Sequence, residues 1–187
     1  MKKILILLLL VIATNNVYSQ GIAPEINTLI NKEFESGKGI KIEKIKLFSS
    51  DLEKVFAIDI YFAKTKIYDT TEYGTSESST GDDKIFGIKD SKIVVSVEPS
   101  SADNLGEFVP YIKKDFILKT YKDAQIFEVA IDMLFPAWDP YKKQIIQKGN
   151  KWFFIRADFF DDKSGYEVKV DGNSKITSIE HKLRLDI

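Results

Sequence analysis

An α+β fold, built from antiparallel sheet with two main helices packed on one face, is predicted by three features of the sequence. Two segments, beginning at Pro24 and at Asp123, repeat their apolar residues at helical spacing. Most of the remaining chain alternates apolar and polar residues with a period of two. Short turn signals separate the alternating segments in the last third, which favours each strand pairing with its neighbour in sequence.

The first region is not part of that fold. Lys2 and Lys3 precede an apolar run from Ile4 to Ala13, Thr14, Asn15 and Asn16 turn polar, and Val17-Tyr18-Ser19 puts modest side chains at a cleavage position. This is the pattern of a secretory signal peptide over residues 1–19. The apolar run is about ten residues long, whereas a helix needs about 20 to cross a bilayer, so no permanent membrane anchor is expected. A lipid anchor would need a cysteine, and the chain has none. The expected product is a domain over 20–187, periplasmic or secreted, that starts at Gln20. Without cysteine it must hold together by apolar burial, which 44% hydrophobic composition allows.

Pro24 fits the first position of a helix, where no hydrogen bond is lost, and Ile26, Leu29, Ile30 and Phe34 form its apolar stripe until Gly37 and Gly39 stop it. Ile40 and Ile42 then alternate with Lys41 and Glu43, but the phase slips to Ile45 and Leu47, the signature of a β-bulge. Following a turn at Ser49-Ser50-Asp51, Phe56, Ile58, Ile60 and Phe62 share one face. Val55, Ala57, Asp59 and Tyr61 leave the other face only partly polar, as in an interior strand. From Thr70 to Asp83 the composition is Thr, Ser, Gly, Glu and Asp with a lone Tyr73, which predicts a long mobile loop. Strands resume over Ile85 to Ile88 and Lys92 to Glu98, ended by Pro99.

Leu105 to Leu118 carries Pro110, Phe108, Tyr111 and Phe116 without a clean period and reads as an irregular crossover with a turn of helix. Thr120 or Asp123 can then cap a second helix, with Ala124, Phe127, Ile131, Leu134 and Phe135 on one face and Pro136 as its stop. The last third reads as a meander. Gly149-Asn150 joins Gln144 to Gln147 with Trp152 to Phe160, a turn over Asp161 to Gly165 leads to Tyr166 to Val170, and Asp171-Gly172-Asn173 leads to the strand from Ile176. The pattern admits two similar helix-plus-meander halves, 20–104 and 105–187, in two sheets or in one continuous sheet.

The run from Gly165 through Tyr166, Val168, Val170, Asp171, Gly172 and Asn173 to Ile176, after a helix and an aromatic strand, resembles the end of PepSY-type domains and of β-lactamase-inhibitor-like proteins. The resemblance covers about the last 65 residues. It implies an exported helix-on-sheet module that binds or inhibits a protein. The 70–83 segment and the crossover after Pro99 have no counterpart in such a module.

Charge excludes one class of partner. Loss of Lys2 and Lys3 leaves 25 basic residues against 28 acidic ones, the lysines are dispersed among acids, and arginine occurs only at Arg156 and Arg184. Nucleic-acid binding needs a concentrated basic surface, so none is expected. No motif implies a cofactor. His181 is the lone histidine, which rules out multi-histidine zinc sites, and it reads as a strand residue. Asp158, Asp161 and Asp162 are the weak candidates for a metal, at a spacing that is not that of a calcium loop. Aromatic side chains concentrate at Trp138, Tyr141, Trp152, Phe154 and Tyr166. If one face of the strand Trp152 to Phe160 packs on the second helix, the other is a binding surface if exposed, and core if the first helix or the crossover covers it. Two functions follow as expectations. One is a non-enzymatic binding or inhibitor-like module that contacts a protein or a small apolar ligand through these aromatics or the 70–83 loop. The other is a metal-dependent or hydrolytic enzyme using Asp158, Asp161, Asp162 and His181.

Overall fold

A computed structural model describes residues 22–34, 40–48, 50–71, 74–78, 82–99, 101–136, 143–159 and 162–187, of which 68–71, 74–78, 157–159 and 162 are described by backbone alone. The signal segment, the Gly37 and Gly39 stop, Tyr73, Trp138, Tyr141 and Asp161 lie outside the described residues.

The fold is α+β with two antiparallel sheets. Helix α1 (Pro24–Phe34) leads into strand β1 (Ile40–Leu47), a single helical turn α2 (Ser50–Glu53), and strands β2 (Asp59–Thr71), β3 (Gly74–Ser78), β4 (Lys84–Lys89) and β5 (Lys92–Val97). A 3-10 helix (Ala102–Tyr111) and helix α3 (Tyr121–Leu134) connect these to β6 (Gln144–Lys148), β7 (Lys151–Phe159), β8 (Asp162–Val170) and β9 (Ile176–Lys182). The first sheet has the order β1-β2-β4-β5 with β3 also paired to β2, and the second has the order β6-β7-β8-β9. Each half is thus a helix followed by a meander, in two separate sheets.

Helix α1 places Ile26, Ile30 and Phe34 on the outer face of the first sheet, against Ile45, Tyr61, Ala63, Phe86 and Ile88, with Phe34 meeting Phe86 edge-on at 5.8 Å between centroids. The inner face of that sheet, through Ile58, Ile60, Ile85, Val95 and Val97, shares one large core with α3 and with Trp152, Phe154, Tyr166 and Val168 of the second sheet. The two halves therefore share the core between their inner faces. The outer face of the second sheet is closed separately, by Leu185 and Ile187 of the C-terminal tail over Phe153 and Ile155.

Several local expectations meet their physical cause here. The slip in β1 is a register shift between Ile42 and Lys44, and β2 is interior, between β1 and β4. Helix α3 carries a capping box in which Thr120 Oγ1 accepts from the Asp123 amide while the Asp123 carboxylate accepts from the Thr120 amide. Asp90 and Ser91 both take positive φ, 49° and 57°, as the tight turn between β4 and β5 requires.

Other expectations are revised. Instead of a loop throughout 70–83, residues 74–78 pair with 67–71 as a hairpin extension of β2. Backbone pairing needs no apolar side chains, so composition alone missed it. Asp83 Oδ1 then accepts from the Thr65 amide at 2.8 Å and ties the segment's end to β2. Ser50–Glu53 is a helical turn rather than an open one, and much of the crossover is the 3-10 helix, in which Leu105 and Phe108 are buried. Strand β8 begins at Asp162, so Asp162 to Gly165 is strand and not turn. Strand β9 ends at Lys182, leaving Leu183 beyond it 81% exposed.

Candidate functional site

Of the aromatic candidates, Trp152, Phe154 and Tyr166 do not form an open face, and Trp138 and Tyr141 lie outside the described residues. Trp152, Phe154 and Tyr166 are at most 2% exposed and belong to the shared core. Phe154 meets Phe127 of α3 at 5.4 Å between centroids, and the Trp152 indole N–H donates to the Leu118 carbonyl at 3.1 Å. Burial pushes the Tyr166 hydroxyl up in pKa, since its charged form would lose water. Trp152 and Phe154 thus belong to the face that meets α3 and the segment before it, and the opposite face, with Phe153 and Ile155, is closed by Leu185 and Ile187 rather than by the first helix or the crossover.

The acidic candidates are only partly placed. In the β7–β8 ladder Asp158 stands opposite Lys163 and Asp162 opposite Phe159. Among the described residues there is no group of three or more His, Asp or Glu residues placed to hold a metal ion. His181 lies on β9 opposite Tyr166, with its ring 5.4 Å from the tyrosine ring. Its Nδ1 is 3.1 Å from Asp103 Oδ1 on the 3-10 helix.

A buried ionic cluster that sequence reading missed joins α3 to β7. The ladder skips Arg156, with Ile155 opposite Gly165 and Ala157 opposite Ser164, and this bulge lies where the arginine turns into the core. Arg156 donates to Glu128, to Asp132 and, at 2.6 Å, to the Phe135 carbonyl at the end of α3, while Lys143 donates to Asp132. A cation there also suits the negative end of the helix dipole. Burial, reinforced by Asp132 and opposed by Arg156 and Lys143, pushes the Glu128 carboxyl up to about 7. Asp132 is held below the ordinary range, because bonds from Lys143 and Arg156 outweigh its burial. On the outer face of the second sheet, Glu167 is buried beneath Lys151, Lys169 and Lys182 and accepts from Lys182 at 2.8 Å. Its burial is outweighed by Lys182 and Lys151, which lower its pKa.

The feature with the character of a binding site is a groove of about 470 Å³ between the inner face of the first sheet and the end of α3. Its floor and far wall are apolar: Phe48, Phe62 and Ile85 from the sheet side, Met133, Leu134 and Pro136 from the end of α3, and Pro99. Lys44, Lys46 and Lys64 form its other rim, and among the described residues no acid lines it. The sequence explains why the core stops here. Pro136 follows the end of α3, and Lys44 and Lys46 occupy positions two apart on β1, where an apolar pair would have called for cover. Phe62 and Phe48 stack edge-on at 6.2 Å in the space left. Lys64 pairs with Glu43 at 3.1 Å, and this lowers the Glu43 pKa. Among the described residues no acid pairs with Lys44 or Lys46. Alternation marked β1 as a strand, but only the partners across the sheet distinguish these lysines from a solvated face.

The clustered ions and His181 are held by partners of their own, whereas the groove combines apolar surface with Lys44 and Lys46, with which no acid among the described residues pairs. No family model, curated protein or solved structure matches the chain.

Proposed function

We propose that the chain is an exported, non-enzymatic binding module, and that its ligand site is the groove between β1, β2 and the end of α3. The observation that carries this reading is the pairing of an apolar floor with Lys44 and Lys46, two cations without an acidic partner among the described residues. Small-molecule sites have this form, mostly apolar with a few polar groups that orient the ligand, in volumes of roughly 300–1,000 Å³. The signal-like residues 1–19 support export, and among the described residues no helix is long and apolar enough to cross a membrane. The resemblance of the C-terminal part to PepSY-type and β-lactamase-inhibitor-like modules points to binding as well.

Lysines on an edge strand such as β1 also discourage edge-to-edge association. That role needs no apolar floor beside them, and the test separates the two. A neutral naphthylamine reporter should gain fluorescence on mixing with the protein. Met133→Arg, which lays a cation across the floor, should abolish the gain, while Val129→Arg on the same helix but outside the groove should not. No gain with the unaltered protein, or a gain that survives Met133→Arg in a folded variant, removes this site.

A further inference from the structure

Resting on that reading of the groove, we infer that its ligand is a free single-chain amphiphile with one carboxylate head, of the fatty-acid class. The charges are polarised. Lys44, Lys46 and Lys64 are all on the β1–β2 rim, and the opposite wall of Met133, Leu134 and Pro136 is uncharged. A ligand that satisfies both sides must carry its charge at one end and be apolar along the rest. An acidic peptide would bring polar backbone groups against Phe62, Ile85 and Leu134, whose side chains offer no hydrogen-bonding partner.

The ladder strengthens the case for an anion. Lys44 stands directly opposite Lys64 in the β1–β2 register, and like charges facing each other across a strand pair repel. Glu43 relieves this only in part, because it also pairs with Lys66 at 3.4 Å. A carboxylate seated between Lys44, Lys46 and Lys64 removes the repulsion, so ligand binding and stability are coupled.

The experiment displaces the neutral reporter with decanoate and with decanol, from the unaltered protein and from Lys44→Gln/Lys46→Gln, with urea midpoints to show that the variant is folded. Decanoate should bind about tenfold tighter than decanol at low salt and lose that advantage at high salt. The double variant should bring decanoate to the level of decanol and leave decanol unchanged. Affinity along the acid series should rise about fourfold per methylene until the groove is filled. Equal binding of acid and alcohol, or reporter binding that neither displaces, overturns the amphiphile while the groove stands as a site. Failure of the reporter itself to bind removes the groove.

Discussion

The indole N–H of Trp152 donates to the carbonyl of Leu118 at 3.1 Å, and through that bond the second sheet grips the backbone just before α3. Both residues are at most 2% exposed. Loss of the donor strands a carbonyl that water cannot easily reach, whereas loss of the ring leaves a cavity. Trp152→Phe should cost about 1–3 kcal/mol and Trp152→Ala about 3–5 kcal/mol in urea unfolding. A Trp152→Ala variant as stable as the parent would mean that the ring is not core.

What could be read in the sequence, and what could not, divides along the range of the forces involved. The bulge in β1, the cap at Thr120 with Asp123, and the tight turn at Asp171-Gly172-Asn173 are short-range, and each residue carries its own signal. Asp171 Oδ1, for example, accepts from the Asn173 and Lys175 amides within its own turn. The Trp152 strand was legible as a strand, but whether its face was covered depended on α3, some twenty residues away in sequence. The Arg156 cluster and the groove were invisible because their members meet only through tertiary packing. The one local hint for the cluster was an arginine inside an aromatic strand in a chain with two arginines. For the groove, Lys44 and Lys46 look like any solvated strand face until Phe62 and Met133 are seen beside them.

Arg156 is the single donor that serves Glu128, Asp132 and the Phe135 carbonyl together. Arg156→Met keeps much of the side chain's length but leaves the buried Glu128 and the end of α3 without their cation, while Asp132 keeps only Lys143. Breaking a buried pair from one side costs about 3–5 kcal/mol. The urea midpoint of Arg156→Met should fall accordingly, and the companion Arg156→Met/Glu128→Leu should recover part of the loss because no lone carboxylate is then buried. An Arg156→Met variant unchanged in midpoint would place the cluster outside the stabilising core.

Stability should fall as pH rises through the neutral range. Glu128 holds its proton up to about 7 in the folded chain against 4.5 as its ordinary value, so between those limits the unfolded chain binds fewer protons. The loss is of the order of 3 kcal/mol across the window, at about 1.4 kcal/mol per pH unit. Asp132, Glu167 and Asp123 act with the opposite sign. Their folded pKa values are depressed, so their stabilisation is present above the ordinary carboxylate range and lost as pH falls through the folded values. The melting temperature should therefore peak in mildly acid solution. Glu128→Gln, which cannot ionise, should flatten the fall on the neutral side and leave the acid side intact. A parent protein whose melting temperature rises from pH 5 to pH 7 would contradict this balance.

Gly165 is fixed by the space beside it. It stands opposite Ile155 next to the bulge that turns Arg156 inward, with φ of 158°, and a Cβ added there would lie 2.1 Å from the Phe154 carbonyl oxygen and 3.0 Å from the Ile155 Cα. Those are backbone atoms, so no side-chain rotation relieves the clash. Gly165→Ala must push β8 away from β7, at a cost at or above the usual overpacking range of about 1–3 kcal/mol. The displacement acts on the strand that holds Arg156, so the damage should reach the ionic cluster. In Gly165→Ala the slope of stability against pH between 5 and 7 should shrink along with the stability itself, because a loosened cluster lets water reach Glu128. Gly172→Ala is the control, since a Cβ there meets nothing within 4 Å, and its pH slope should match the parent's. A Gly165→Ala protein with lower stability but an unchanged slope would show that the bulge and the buried carboxyl are independent.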